Sequence, residues 1–274
     1  MKLGIFVLAT SVYKNFFDEY IESIENLFPS NGVEKELFIL SDGLREYDGQ
    51  QKFGCNIHWI KTIDFPYPLV PCNKFQIVAE YMKEYGLEYG MFTDVDTIFL
   101  KQSYTFWEVF KDQIQSGKLI CSDHPHYLYD ENYKLHHSLR VYNEFSAAYV
   151  NPEIIDEHKS YIITSFFAGT LSAIEEYANK IYKMLGADLK NLRWMPNCVD
   201  EAYLNKIYID EAIIGNDTNI KKNKYITMNP YFSIGSHERS TGLIFENNFP
   251  EHNMIFMNQK YNLAIKNIKK DNEV

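Results

Sequence analysis

The chain has 274 residues, 46% hydrophobic and 23% charged, the mixture of an ordinary globular protein and not of a disordered one. Its 27 basic and 37 acidic residues leave a net charge of −10, which argues against broad nucleic-acid binding because no long basic run offsets it. Cys55, Cys72, Cys121 and Cys198 form no CxxC pair, so they fit neither a zinc site nor a disulfide framework and read as free thiols of a reducing compartment.

The apolar run Leu3 to Ala9 stops at Thr10-Ser11 without a small-residue cleavage site, so it reads as a buried first strand and not as a signal peptide. Phe16 to Phe28 carries apolar residues at helical spacing and ends at Pro29-Ser30-Asn31-Gly32. Glu36 to Leu40 and Ile57 to Ile60 are expected as the next two strands. Asp64 to Pro71 holds three prolines and is expected as a stiff surface loop. A helix follows over Phe75 to Tyr85, closed by Gly86, and then a strand from Gly90 to Thr93. Phe106 to Lys159 is irregular and rich in Tyr, His and Asn. Tyr161 to Phe167 is strongly strand-prone and runs into Ala168-Gly169-Thr170. Helices are expected over Leu171 to Leu185, stopped by Gly186, and over Ala202 to Tyr208. Short strands fill the last fifty residues, before a Lys- and Asn-rich tail from Lys266. The alternation of strands and helices predicts the α/β class, with a mostly parallel sheet flanked by helices in one domain spanning 1–274. No stretch approaches 18 apolar residues, so no transmembrane segment is expected.

Two acidic motifs carry the chemistry. In Met91-Phe92-Thr93-Asp94-Val95-Asp96 an apolar strand runs into two carboxylates. In a strand, residues i and i+2 face the same side, about 6.5–7 Å apart, so both carboxylates are expected to point at one pocket at the carboxyl end, where ligands gather in open α/β sheets. Two anionic oxygen donors suit Mg²⁺ or Mn²⁺, and a nucleotide diphosphate supplies further oxygens. A strand-end pair that merely caps the next turn is the plainer reading. A phosphatase of the haloacid dehalogenase type fits poorly, since the fifth position is Ile98 and the motif lies deep in the chain. The second motif is Asp200-Glu201, which opens a helix. Simple capping and dipole compensation would explain it, as would a pair of working carboxylates.

Several segments, in order, resemble glycosyltransferase family 6, the family of the histo-blood-group A and B transferases and the α1,3-galactosyltransferase. Leu8-Ala9-Thr10 with Tyr13 is similar to its F-A-I-x-x-Y segment, and Glu22 and Glu25 fall on its next helix. Ile39-Leu40-Ser41-Asp42 is similar to its V-F-T-D strand end, and Asp94-Val95-Asp96 reproduces its D-V-D. Ile163 to Thr170 resembles the strand ending in its F-G-G-T, and Asp200-Glu201 with Leu204-Asn205-Lys206 resembles D-E-S-H-L-N-K. The sequence departs at Cys198 and Val199, where the family has Trp and His, at Lys74, which aligns with the family's donor-binding Arg, and at Ala168, which replaces a Gly. Beyond Tyr208 the match is loose.

The resemblance implies a GT-A fold, with a nucleotide-binding half over about 1–100, an acceptor-binding half over about 101–250 and a flexible tail over about 258–274. It implies a retaining α1,3-glycosyltransferase that moves galactose or N-acetylgalactosamine from a UDP-sugar to the 3-hydroxyl of a plain or fucosylated galactoside. By the same likeness Leu8, Ala9, Thr10 and Tyr13 would line the uridine site. Asp94 and Asp96 would hold Mn²⁺ (or Mg²⁺), and Lys74, Asp94, Val95, Ile163, Thr164 and Ser165 would complete the donor site. Glu201 would face the anomeric carbon, with Asp200 beside it. Lys260 and Lys266 would belong to a segment closing on bound UDP. Vertebrate members carry an amino-terminal anchor and stem. This chain begins at the catalytic domain, which implies a soluble bacterial- or viral-type enzyme, cytoplasmic or peripheral to a membrane. A different metal-dependent GT-A transferase and a noncatalytic sugar-binding protein are the other readings.

Overall fold

The computed structural model describes residues 1–24, 33–62, 69–99, 114–123, 141, 143–151, 153–154, 162–196, 199–211, 220–223 and 256–258. It is an α/β protein. In chain order the elements are β1 (Lys2–Leu8), a 3₁₀ turn (Ser11–Phe16), α1 (Phe17–Ser23), β2 (Glu34–Ser41), β3 (Gln51–Lys52) and β4 (Cys55–Lys61). Then come α2 (Leu69–Glu84), β5 (Tyr89–Asp94), β6 (Thr97–Phe99), β7 (Leu119–Asp123), β8 (Ile162–Thr170) and α3 (Leu171–Leu192). α4 (Val199–Ile209), β9 (Ile220–Asn223) and β10 (Phe256–Asn258) complete the described elements.

The main sheet runs β3-β4-β2-β1-β5-β8-β7-β9, seven strands of ordinary length and the two-residue β3 at one edge. β4, β2, β1 and β5 are parallel, but β8 is antiparallel to both β5 and β7. The sheet is therefore mixed and partly parallel, with β3 and β8 running against the other strands. Strand direction leaves no mark in the pattern here, because β8 is buried on both faces and reads as the same unbroken run that a central parallel strand would. A separate pairing joins β6 to β10.

β1 shows how the core divides. Its side chains alternate faces, so Phe6 joins one core with Phe38, Phe75, Phe92 and Phe167, while Leu3, Ile5 and Val7 join the other with Phe17, Tyr20 and Ile39. The first core lies under α2, α3 and α4. Within it Phe75 and Phe92 both stack on Phe167, with ring centroids 3.8 and 5.2 Å apart. This ladder joins α2, β5 and β8, the elements that carry the acidic motif and its neighbours. Gly90 makes the approach possible, since a Cβ there would collide with the Met82 thioether of α2.

Several expected boundaries move. α1 begins at Phe17 after the 3₁₀ turn, and the rest of the expected helix, 25–28, lies outside the described residues. α2 begins at Leu69, so Pro71 sits in a first turn, where its missing N–H costs no hydrogen bond. α2 does end where Gly86 takes up a left-handed φ of 63°. α3 runs straight through Gly186 to Leu192 because its buried stripe continues through Leu185 and Asp188, which outweighs the roughly 1 kcal/mol cost of an interior glycine. Its end is Arg193, in a left-handed conformation. Thr170 both closes β8 and caps α3 by accepting from the Ala173 N–H. β7 was not legible as a strand. Cys55, Cys72 and Cys121 are buried and form no disulfide among the described residues, and Cys198 lies outside them. Among the described residues no helix is long and apolar enough to cross a membrane.

At the amino-terminal end of β2, Glu36 is buried and receives three donors. His58 Nε2 lies 2.5 Å away, Lys2 Nζ 3.1 Å and Asn56 Nδ2 3.2 Å. Burial alone would raise its carboxyl, but the three donors outweigh burial and hold it below the usual glutamate range. The folded state therefore prefers the carboxylate. That stabilisation is complete above the unfolded value of about pH 4.3 and is lost as pH falls through the folded one. Glu36→Gln is expected to cost about 1–3 kcal/mol at neutral pH and to flatten the acid side of the stability curve. Urea titrations between pH 3 and 7 check this. Equal slopes for both proteins would remove Glu36 from the account of acid stability.

Candidate functional site

The strand order reverses between β1 and β5. Chain neighbours of β1 lie to one side of it, while β5 and β8 lie to the other. In an open α/β sheet the crevice at the carboxyl ends of such strands is where ligands bind. Here the last residues of the two strands are register partners, Leu8 beside Asp94. Beyond Leu8 the chain is held firmly. Ala9 donates its N–H to the Leu40 carbonyl at 2.9 Å, and the Ser41 hydroxyl donates to the Ala9 carbonyl at 2.5 Å. Ala9 and Thr10 are buried, whereas Tyr13, on the 3₁₀ turn, is exposed. Under Asp94, the buried Tyr20 hydroxyl and Thr93 Oγ1 share a 2.7 Å hydrogen bond. Burial, ahead of the nearby Asp94 charge, pushes the Tyr20 phenol well up, so it stays neutral.

Asp94 and Asp96 do not share a strand. β5 ends at Asp94, Val95 and Asp96 form the turn, and β6 begins at Thr97. The expectation that period-two alternation points both carboxylates the same way is therefore replaced by a tight turn that keeps them near one another. Val95 packs into the core, Asp94 is half-buried and Asp96 is only 1% exposed.

Because β8 is antiparallel to β5, its start lies against the end of β5. Thr93 pairs with Phe166, so Ser165, Thr164 and Ile163 lead away from the same edge, all buried. α4 crosses there. The Thr164 N–H donates to Glu201 Oε1 at 3.4 Å, and the Thr164 carbonyl accepts from Lys74 Nζ at 2.6 Å. The same ammonium lies 2.6 Å from Asp200 Oδ2, with both side chains nearly fully buried, and 5.1 Å from the Phe92 ring centroid. Burial works to lower the Lys74 ammonium, but Asp200, Asp94 and Glu201 outweigh it and hold it above the usual lysine range. Asp200, in the first turn of α4, is thus the ion-pair partner of Lys74 from α2.

Leu8, Ala9, Thr10, Lys74, Asp94, Val95, Asp96, Ile163, Thr164, Ser165, Asp200 and Glu201 therefore converge on one edge of the sheet, with Tyr13 at its rim. Lys74 belongs to α2 and points inward, so it is not carried on a loop. Residues 63–68 and 259–268, including Lys260 and Lys266, lie outside the described residues. Two contacts around α4 escape sequence reasoning. One is the Lys74–Asp200 pair, which joins residues 126 positions apart with no local pattern. The other is Asp188, whose carboxylate takes the Ser146 hydroxyl at 2.5 Å, the Ala147 N–H at 2.6 Å and the Tyr203 hydroxyl at 2.9 Å, and so ties α3 to α4. An acidic residue on a buried helix stripe is the signal that would have flagged it.

Among the described residues no group of three or more His, Cys, Asp and Glu could by itself hold a metal ion. The donor chemistry still fits a hard divalent cation. Asp94 and Asp96 offer oxygens at the end of β5, and Lys74 commits its charge at contact distance to Asp200. Such an ion would take its remaining oxygens from a ligand or water.

Removing one member of a buried ion pair strands the other. Lys74→Met is expected to lower stability by about 3–5 kcal/mol. Pairing it with Asp200→Leu should recover a good part of that loss. Thermal melts of the two variants check it, and a double variant no better than the single would mean that the pair is not the source of the cost.

No protein-family model matches the chain, and no curated protein matches it significantly.

Proposed function

We propose that the protein is a metal-dependent nucleotide-sugar transferase of the GT-A fold. On the resemblance to glycosyltransferase family 6 it would be a retaining enzyme that moves galactose or N-acetylgalactosamine from a UDP-sugar to the 3-hydroxyl of a galactoside. One observation carries this reading. Four segments far apart in sequence, ending β1, ending β5, starting β8 and opening α4, meet at the switch point of the sheet. These are among the segments that carry the resemblance.

The chemistry needed is modest. The bond from the anomeric carbon to the diphosphate breaks, and its electron pair leaves with UDP. A divalent ion held by Asp94 and Asp96 would stabilise that growing negative charge. Leu8, Ala9 and Thr10 form a rigid wall beside Asp94, suited to a flat base and its ribose. The sugar becomes oxocarbenium-like, and Glu201 supplies a fixed negative charge where Thr164 orients it. Lys74 and Asp200 hold α2, β8 and α4 together behind it and complete the charge balance. Ser165, small and buried, stands on the strand that would read the sugar's 2-substituent.

Titration calorimetry with UDP, in the presence and absence of Mn²⁺, tests the binding half of this reading. UDP is expected to bind with Mn²⁺ and to lose most of its affinity without it, and ADP and GDP to bind more weakly. No heat with any of the three, or equal affinity for all, would contradict it.

A further inference from the structure

Asn205 lies one turn beyond Glu201 in α4 and is 1% exposed. Its amide bonds in two directions. Oδ1 accepts the Ile162 N–H at 2.8 Å, and Nδ2 donates to the Ile162 carbonyl at 2.8 Å. The side chain thus takes the place of a neighbouring strand's peptide at the first residue of β8. Nδ2 also donates to the carbonyl of Glu201 at 2.9 Å. One side chain therefore joins the backbone of Glu201 to the residue immediately before Ile163, Thr164 and Ser165.

Asp200 reaches this strand end only through the Lys74 side chain, and Glu201 through a long 3.4 Å hydrogen bond from the Thr164 N–H, so neither ties the two backbones together as closely as Asn205 does. Ala202, Leu204 and Ile207 pack into the core, and apolar packing resists separation more than it resists sliding. The Tyr203 hydroxyl holds the helix through Asp188 to α3 and residues 146–147, not to Ile162. Paired hydrogen bonds of 2.8 Å are directional and weaken steeply off their geometry, so they fix both the distance and the register of the helix on the strand end.

We propose that Asn205 is a positioning residue for the transfer reaction. It touches no substrate and acts through the backbone, setting the gap between the Glu201 carboxylate and the Ile163–Ser165 wall. The proposal rests on the transferase reading. Misplacement of a reacting group by about 1 Å costs about 10²-fold in rate, which sets the effect to look for.

The test compares wild type, Asn205→Ala, Asn205→Gln and Tyr203→Phe for release of UDP from UDP-galactose and UDP-N-acetylgalactosamine with Mn²⁺, at a temperature well below every melting point. Tyr203→Phe removes a different polar anchor of α4, the one to Asp188, and leaves the bonds to Ile162 untouched. Asn205→Gln keeps the amide but lengthens its arm by one methylene. Asn205→Ala and Asn205→Gln are expected to lose about 10- to 100-fold in kcat, with donor KM within about threefold of wild type. Tyr203→Phe should melt lower yet keep kcat within about threefold. Should Asn205→Ala fail to fold, Asn205→Gln decides. Wild-type kcat in a folded Asn205 variant, or equal kcat losses in the Asn205 and Tyr203 variants, would overturn the proposal alone. A wild-type protein that releases no UDP from either donor would overturn the transferase reading, and this proposal with it.

Discussion

Asp94→Asn and Asp96→Asn are each expected to cut transfer by about 10³-fold or more. A divalent ion that stabilises a leaving diphosphate contributes several kcal/mol, and about 4 kcal/mol corresponds to about 10³-fold in rate. Asn keeps the shape and one oxygen but removes the charge that would hold the ion. Chelation of wild type should have the same effect reversibly, with Mn²⁺ restoring turnover, while the variants stay inactive at ordinary Mn²⁺. Circular dichroism should report folded protein throughout, because Asn keeps the shape of the side chain at the half-buried Asp94 and at the buried Asp96 alike. Full turnover in excess chelator would make Asp94-Val95-Asp96 a turn and nothing more.

Glu201→Gln is expected to lower kcat by at least about 10²-fold, the usual loss when a fixed charge facing a developing opposite charge is removed. Gln retains an oxygen for the Thr164 N–H, so α4 should stay on β8 and donor KM should change little. Steady-state kinetics with varied donor separate the two parameters. Near-normal kcat with a lowered melting temperature would assign Glu201 to the electrostatics of the helix terminus instead.

Much of this architecture can be read from single residues. β1 is legible because Leu3 to Ala9 is buried on both faces, and the end of α2 because Gly86 takes a conformation that few other residues adopt. Asp94 falls at the end of β5 because the buried run 90–93 precedes it. Other features depend on contacts that no local pattern encodes. The turn at Val95-Asp96 arises where β5 stops, which a period-two argument cannot sense. β8 runs antiparallel although its sequence would suit either direction. α3 ignores Gly186 because the packing of Leu185 and Asp188 outweighs local propensity. The convergence of Lys74 with Asp200, and of Asn205 with Ile162, exists only once the sheet has assembled.

The central claim is that the meeting point of β1, β5, β8 and α4 breaks the bond between a sugar and UDP. Release of UDP from UDP-galactose and UDP-N-acetylgalactosamine, followed with Mn²⁺ and with plain or fucosylated galactosides as acceptors, measures this directly. UDP should appear slowly without acceptor and faster with one, together with an α1,3-linked product and no inorganic phosphate. Release of inorganic phosphate in place of UDP, or no UDP from either donor under any of these conditions, would contradict it.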